Sequence, residues 1–203
     1  MFPFDVILFD VGGVLLTNGW DHRERAAVVE QFHLDGAALE EHHAKAFEPW
    51  ERGEITLDEY LDAAVFYEPR SFSHEEFFNA MCEQSKLLAD GAVCILKELA
   101  ASDRCVLGAL NNEARETHEF RMKKFGLRNY LKFTFTSCYM GLRKPDPQIY
   151  RRALGILGKS AERSLFIDDR LENVAAAAAV SMKAIRFTGA DVLRRDLQAL
   201  EVL

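Results

Sequence analysis

Asp10 follows the apolar run Val6 to Phe9 and precedes Val11, Gly12 and Gly13. An acid at a strand end is ordinarily a turn residue or a helix cap, but adjacent glycines let backbone N–H groups approach an anion closely and form a concave nest. A second acidic point, Asp168 with Asp169, closes the run Leu165 to Ile167. If these two strands are neighbours where a parallel sheet reverses its winding, three carboxylates converge at one end of the sheet. Carboxylates so placed repel one another and raise each other's pKa unless a cation lies between them. A few hard oxygen donors suit Mg²⁺. Lys144 lies in the stretch GLRKPDP; alone it reads as a solvated charge, but Pro145 holds the residue before it in an extended conformation, which gives the lysine a defined backbone. Asn111 and Asn112 follow the run Cys105 to Leu110 and precede a helical pattern. They read as helix-cap residues, whose amides and neighbouring free N–H groups are also anion donors.

The elements that must position these groups alternate. Five short apolar runs, Val6 to Phe9, Cys105 to Leu110, Phe133 to Thr136, Leu165 to Ile167 and Ala184 to Phe187, read as buried strands separated by helical patterns. Asp90 is expected to cap a helix carrying Val93, Leu96 and Ala100 on one face, and another helix is expected from about Glu113 until Gly126 ends it. Asp146 with Pro147 starts the next, and the run Ala175 to Ala179 is strongly helix-forming. Strand alternating with helix predicts an α/β fold, a Rossmann-like three-layer sandwich around a parallel sheet. Residues 18–86 break the rhythm with helix starts at Asp21, Asp35, Thr56 and Ser73 and no strand; Glu24, Glu59 and Glu76 stand at capping-box spacing from three of them. The expected organisation is a core of residues 1–17 and 87–203 with a helical cap inserted at 18–86, over the crevice at the carboxyl ends of the strands.

With 203 residues, 49% hydrophobic and 28% charged, the chain is long and apolar enough to bury a full core. A net charge of −7 without a basic run argues against nucleic-acid binding, so an anionic ligand needs a local positive site. No apolar run reaches the ~20 residues of a membrane span. Asp5 and Asp10 interrupt the amino-terminal apolar stretch, so a cytoplasmic protein is expected. Cys82, Cys94, Cys105 and Cys138 lack metal-ligand spacing and read as reduced, mostly buried thiols.

In this order the motifs resemble those of the haloacid dehalogenase superfamily of hydrolases, over nearly the whole chain. FDVGGVL matches its first motif at Asp10; GALNNE matches the second, with Asn111 where Ser or Thr is usual; RKPDP matches the third at Lys144; FIDDRLEN matches the fourth at Asp168, Asp169 and Asn173. The resemblance implies that Asp10 attacks phosphorus to form an aspartyl phosphate, which water hydrolyses. It implies Mg²⁺ held by Asp10, the Gly12 carbonyl, Asp168 and Asp169, and a phosphate bound by Lys144, Asn111, Asn112 and the N–H groups of Gly12 and Gly13. The expected function is Mg²⁺-dependent hydrolysis of a small phosphorylated metabolite such as a sugar phosphate. Two alternatives stand beside it: dehalogenase-type attack of Asp10 on carbon without a metal, and a catalytically weak member serving as a binding or regulatory module. The paired acids favour the metal-dependent chemistry.

Two positions depart from the pattern that the resemblance implies. Most phosphatases of the family carry an acid–base Asp two residues after the nucleophile, where this chain has Gly12; a subgroup of sugar-phosphate phosphatases shares Asp-x-Gly. Asn111 replaces the hydroxyl residue. His22 is the histidine expected to substitute as acid, whereas His42 and His43, adjacent on a helix, are expected on a solvated face. Trp50, Glu51 and Arg52 precede Gly53 in an expected loop between cap helices, a place where the family puts specificity residues.

Overall fold

Apolar side chains on β1 (Val6–Phe9) alternate between two cores: Ile7 and Phe9 enter one, Val6 and Leu8 the other. A strand buried on both faces needs a layer on each side, and the computed structural model, which describes residues 2–203, supplies both. Met1, the first residue of the expected core segment, lies outside the described residues. After β1 come α1 (His22–Gln31), α2 (Gly36–Glu51), α3 (Leu57–Ala64) and α4 (His74–Glu83). The alternation then resumes with α5 (Val93–Ser102), β2 (Val106–Asn111), α6 (Arg115–Lys124), β3 (Phe133–Thr136), the short α7 (Ser137–Met140), α8 (Pro147–Leu157), β4 (Ser164–Asp168), α9 (Leu171–Ala179), β5 (Lys183–Arg186) and α10 (Ala190–Ala199).

The five strands are all parallel, in the order β3-β2-β1-β4-β5. Helices α5, α6 and α10 cover one face with Leu96, Met122 and Leu193, and α8 and α9 cover the other with Ile149 and Ala177. This is the expected Rossmann-like α/β sandwich. The chain winds outward from β1 through β2 to β3, then returns to place β4 on the other side of β1, so the winding reverses between β1 and β4. Phe9 pairs with Ile167, and the Asp10 N–H donates to the Ile167 carbonyl at 2.8 Å, which sets Asp10 beside Asp168.

Each of the four helices before α5 starts at the residue its sequence names. Asp21 and Asp35 accept backbone N–H bonds, while Thr56 with Glu59 and Ser73 with Glu76 form reciprocal capping boxes. Trp20, Val28, Leu39, Trp50, Tyr60 and Phe77 belong to a third apolar cluster within this segment. Asp90 does not cap α5, whose cap residue is Ala92; its carboxylate instead accepts the Ala190 N–H at the start of α10, because the chain turns between Asp90 and α5. Glu113 lies ahead of α6, buried. All four cysteines are free, with Cys94 exposed rather than buried. Among the described residues, no helix is long and apolar enough to cross a membrane.

Candidate active site

The carboxyl ends of β1 and β4 bring Asp10, Asp168 and Asp169 together, with one oxygen from each inside a 4.8 Å group. Lys144 reaches between two of them, its Nζ 2.9 Å from Asp10 Oδ1 and 2.7 Å from Asp168 Oδ2. Asp168 is saturated: it also accepts from the Arg170 N–H at 2.8 Å and from Asn173 Nδ2 on both oxygens. Asn112 fixes the lysine backbone, accepting the Lys144 N–H at 2.8 Å and donating to the Lys144 carbonyl at 2.9 Å. Asn112, directly after β2, thus anchors the Lys144 backbone, which lies in a turn closed by the Asp146 N–H on the Arg143 carbonyl at 2.9 Å, where an extended conformation was expected.

Burial holds the Asp10 carboxyl up to about 7; the nearby Asp168 charge acts in the same direction and Lys144 opposes both. Lys144 stays above its ordinary value because two carboxylates outweigh its own burial. Asp169 is also raised, by burial and then by Asp168, and its Oδ1 is sealed from solvent without a hydrogen-bond partner. Three acids against one ammonium, with an orphaned carboxylate oxygen, make a donor set that a hard divalent cation would complete.

The two glycines do different work. Gly13 has φ +72, and a Cβ there would lie 2.5 Å from Asp169 Cγ, so only glycine lets Asp169 come so close. Its N–H is committed to the Leu16 carbonyl at 2.8 Å and is not free for an anion, contrary to the expectation for this residue. Among the described residues, neither the N–H nor the carbonyl of Gly12 has a protein partner. Its backbone is ordinary, and a Cβ would meet Asn18 Cα and Oδ1 at 3.3 Å. Asn18 thus occupies the space where an acid two residues after Asp10 would project.

Asn111 does not reach the site. Buried at the end of β2, it accepts from Thr136 Oγ1 at 3.0 Å and donates to Glu113 Oε2 at 2.9 Å, while Glu113 accepts from Arg121. An amide is longer than the hydroxyl side chain usual there and finds partners inside the core.

Asp10, Gly12, Asn112 and Lys144 open into a cavity of about 510 Å³ whose far wall comes from α1, α2 and α4. Trp50 and Glu51 line it from the last turn of α2 rather than from a loop, whereas Arg52 caps that helix and pairs with Glu48 at 2.8 Å. Gly53 allows this arrangement by packing against the Cys138 carbonyl, where any Cβ would collide. Arg143, unremarked in the sequence beside Lys144, grips the buried Glu51 with Nε and Nη2 at 2.7 and 2.6 Å. His22 stands at the rim with 79% of its side chain exposed and Nδ1 3.3 Å from Glu40, so the structure points it to solvent and not toward Asp10. His43 is the histidine in the wall, only 6% exposed, where a solvated face was expected. Its burial follows from its place on α2 beside Leu39, Ala46 and Trp50, all buried. The i, i+3, i+4 spacing of these residues was the available signal for His43; nothing local marked Asn18 or Arg143.

Comparison with known proteins agrees with this geometry. A family model described as haloacid dehalogenase-like hydrolase matches residues 4–181. "Flavin mononucleotide hydrolase 1", a chloroplast protein of Arabidopsis thaliana, is 34% identical over 81% of this chain, which spans 65% of that relative's length. "Sesquiterpene phosphatase astK" of Aspergillus oryzae is 28% identical over 97% of this chain and 96% of its own. The fold is shared with a HAD family enzyme of Bacteroides thetaiotaomicron solved with magnesium and inorganic phosphate, at 21% identity and a TM-score of 0.75 over 92% of this chain and 95% of that one. With a parallel sheet that gathers a buried acid cluster and lysine at its switch point and a family model spanning most of the sequence, the chain belongs to the haloacid dehalogenase-like hydrolases.

Proposed function

We propose that this hydrolase is a Mg²⁺-dependent phosphatase of small phosphomonoesters, working through an aspartyl-phosphate on Asp10. The observation that carries the reading is the orphaned Asp169 Oδ1 within the cluster of three acids. It supports a resident cation, which attack on carbon does not require. Asp10, Asp169 and the free Gly12 carbonyl are the residues that would hold Mg²⁺. When bound, the ion would neutralise phosphate charge and keep Asp10 ionised at neutral pH.

The chain's own groups then do the following. Asp10 supplies the nucleophilic oxygen. Lys144, held by Asp168 and Asn112, places a fixed positive charge against the phosphoryl oxygens and lowers their repulsion with Asp10. The free Gly12 N–H faces the same anion. Asp168 accepts four hydrogen bonds and serves to position Lys144 and, through Asn173, the start of α9. Residues 18–86 form the proposed cap, which closes the cavity against water. A flavin mononucleotide hydrolase of a plant and a sesquiterpene phosphatase of a fungus among the relatives support the reaction class.

A panel of sugar, nucleotide, aryl and terpenyl phosphates, assayed with Mg²⁺ and with chelator, tests this reading. Release of phosphate that needs Mg²⁺ and disappears in Asp10→Asn is the expected result; chelator-resistant turnover of a halogenated acid overturns it.

A further inference from the structure

Deepening the phosphatase reading on which it rests, we propose that His43 is a specificity-determining residue. It is a neutral imidazole locked as the Nε2–H tautomer that donates one hydrogen bond to an acceptor oxygen on the uncharged, ring-bearing part of the substrate.

The tautomer follows from a chain of donors. Trp20 Nε1 can only donate, and it does so to the Tyr60 hydroxyl at 2.7 Å. Tyr60 is fully buried, so its own hydrogen needs an acceptor, and the other partner of that oxygen is His43 Nδ1 at 2.8 Å. Nδ1 therefore accepts, and in a neutral ring the proton sits on Nε2. Nε2 has no partner among the described residues and is not among the polar atoms sealed from solvent, and the residue lines the cavity. An imidazole 94% buried thus aims its remaining N–H at the space a substrate would fill. Burial pushes His43 down to about 4, the Arg25 charge acts in the same direction and Glu40 against it, so the ring stays neutral at physiological pH.

The surroundings define what it meets. Trp20, Phe47, Trp50 and Phe120 bring four aromatic rings into a lining that is otherwise mostly polar. The guanidiniums of Arg25, Arg121 and Arg143, which share that lining, are each committed to a carboxylate, Glu40, Glu113 and Glu51. At the helical wall a second anionic group on the substrate would have to break one of these pairs, while Arg170, a lining arginine with no carboxylate partner among the described residues, follows Asp169 at the strand ends. A ring system with a carbonyl or ether oxygen loses nothing and gains the His43 donor.

Two substitutions separate the binding role from a structural one. His43→Asn keeps an acceptor near the Nδ1 position for Tyr60 and removes the Nε2 donor; His43→Gln places an amide N–H near the Nε2 position. The probes are 4-methylumbelliferone and 2-naphthol, two bicyclic phenols of which the first carries a ring carbonyl, titrated by fluorescence, together with their phosphates in the hydrolysis assay. Wild type should bind the carbonyl probe more tightly. His43→Asn should weaken that probe about 3- to 10-fold with no change for naphthol, as expected for loss of one neutral hydrogen bond. His43→Gln should restore part of the difference. ¹⁵N NMR of the imidazole at pH 7 should show a neutral, Nε2-protonated ring. Equal weakening of both probes, no weakening of either, or an Nδ1-protonated ring overturns the proposal. Failure of the phosphatase reading would appear separately, as absence of hydrolysis of both phosphates while the binding difference persists.

Discussion

The two walls of the cavity are built on opposite plans. At the strand ends, charge is left unbalanced: three acids face one lysine, two of the acids are held above their ordinary range, and one buried oxygen has no partner. Across from them, the helical wall holds its charges in pairs, Arg25 with Glu40 and Glu51 with Arg143 from the loop beside Lys144, and adds the rings of Trp20, Phe47 and Trp50. Unbalanced charge waits for a ligand, whereas balanced charge and packed rings define a shape. On the proposed function, catalysis belongs to one wall and selection to the other, and each substitution below should disturb one and spare the other.

The largest effect belongs to the charged wall. Removing Mg²⁺ with chelator, or changing Asp169 to Asn, should lower turnover at least about 10³-fold, since several kcal/mol of charge stabilisation are lost. The folded state should persist, and Mg²⁺ should raise the melting temperature of wild type but not of Asp169→Asn. Retained turnover in both conditions would break the division between the walls.

Next is Lys144→Met. It leaves Asp10 and Asp168 buried without their shared cation, so stability in chelator at pH 7 should fall by about 3–5 kcal/mol. Acidification should recover part of it by protonating Asp10. Urea unfolding at pH 7 and 5 measures this, and an unchanged midpoint would mean that the lysine is not the counter-charge assigned here.

On the helical wall, His43 titrates near 6.5 when unfolded and at about 4 when folded. Between those values the unfolded chain binds more protons. The stability due to its neutral burial is therefore complete above pH 6.5, falls as pH drops, and is lost near pH 4, by about 3 kcal/mol. The difference in stability between wild type and His43→Asn should shrink across that window while kcat for 2-naphthyl phosphate, which offers His43 no ring acceptor, changes little at pH 7.

The smallest effect tests the join between the walls. Gly12 has no positive φ, and an added side chain need only displace the Asn18 amide by a few tenths of an ångström. Gly12→Asp should fold normally and raise the rate on alkyl phosphates relative to aryl phosphates about tenfold, because alkoxides need protonation on leaving. The same substitution at Gly13 should fail, since Asp169 fills that space.

The same contrast explains what could be read in the sequence. The acids proposed for the site are local features: Asp10 and Asp168 each close an apolar run, and parallel register does the rest. The sheet and the four helix starts were legible for the same reason, because apolar alternation and capping spacings are written within a few residues. Hydrogen-bond commitments were not. Gly13 and Asn111 have the right types and places, yet one donates to Leu16 and the other turns to Thr136 and Glu113, partners fixed by packing that no motif encodes. The helical wall was least legible, since His43 and Trp50 meet Tyr60 only after α2 and α3 fold together.

The central claim is that Asp10 becomes phosphorylated. Wild type mixed with an aryl phosphate and Mg²⁺, quenched in acid within the first turnovers and digested, should yield a hydroxylamine-labile phosphoryl group on the peptide containing Asp10, and Asp10→Asn should yield none. Steady hydrolysis by wild type with no phosphoryl group on that peptide, or with one on a different residue, would contradict the account.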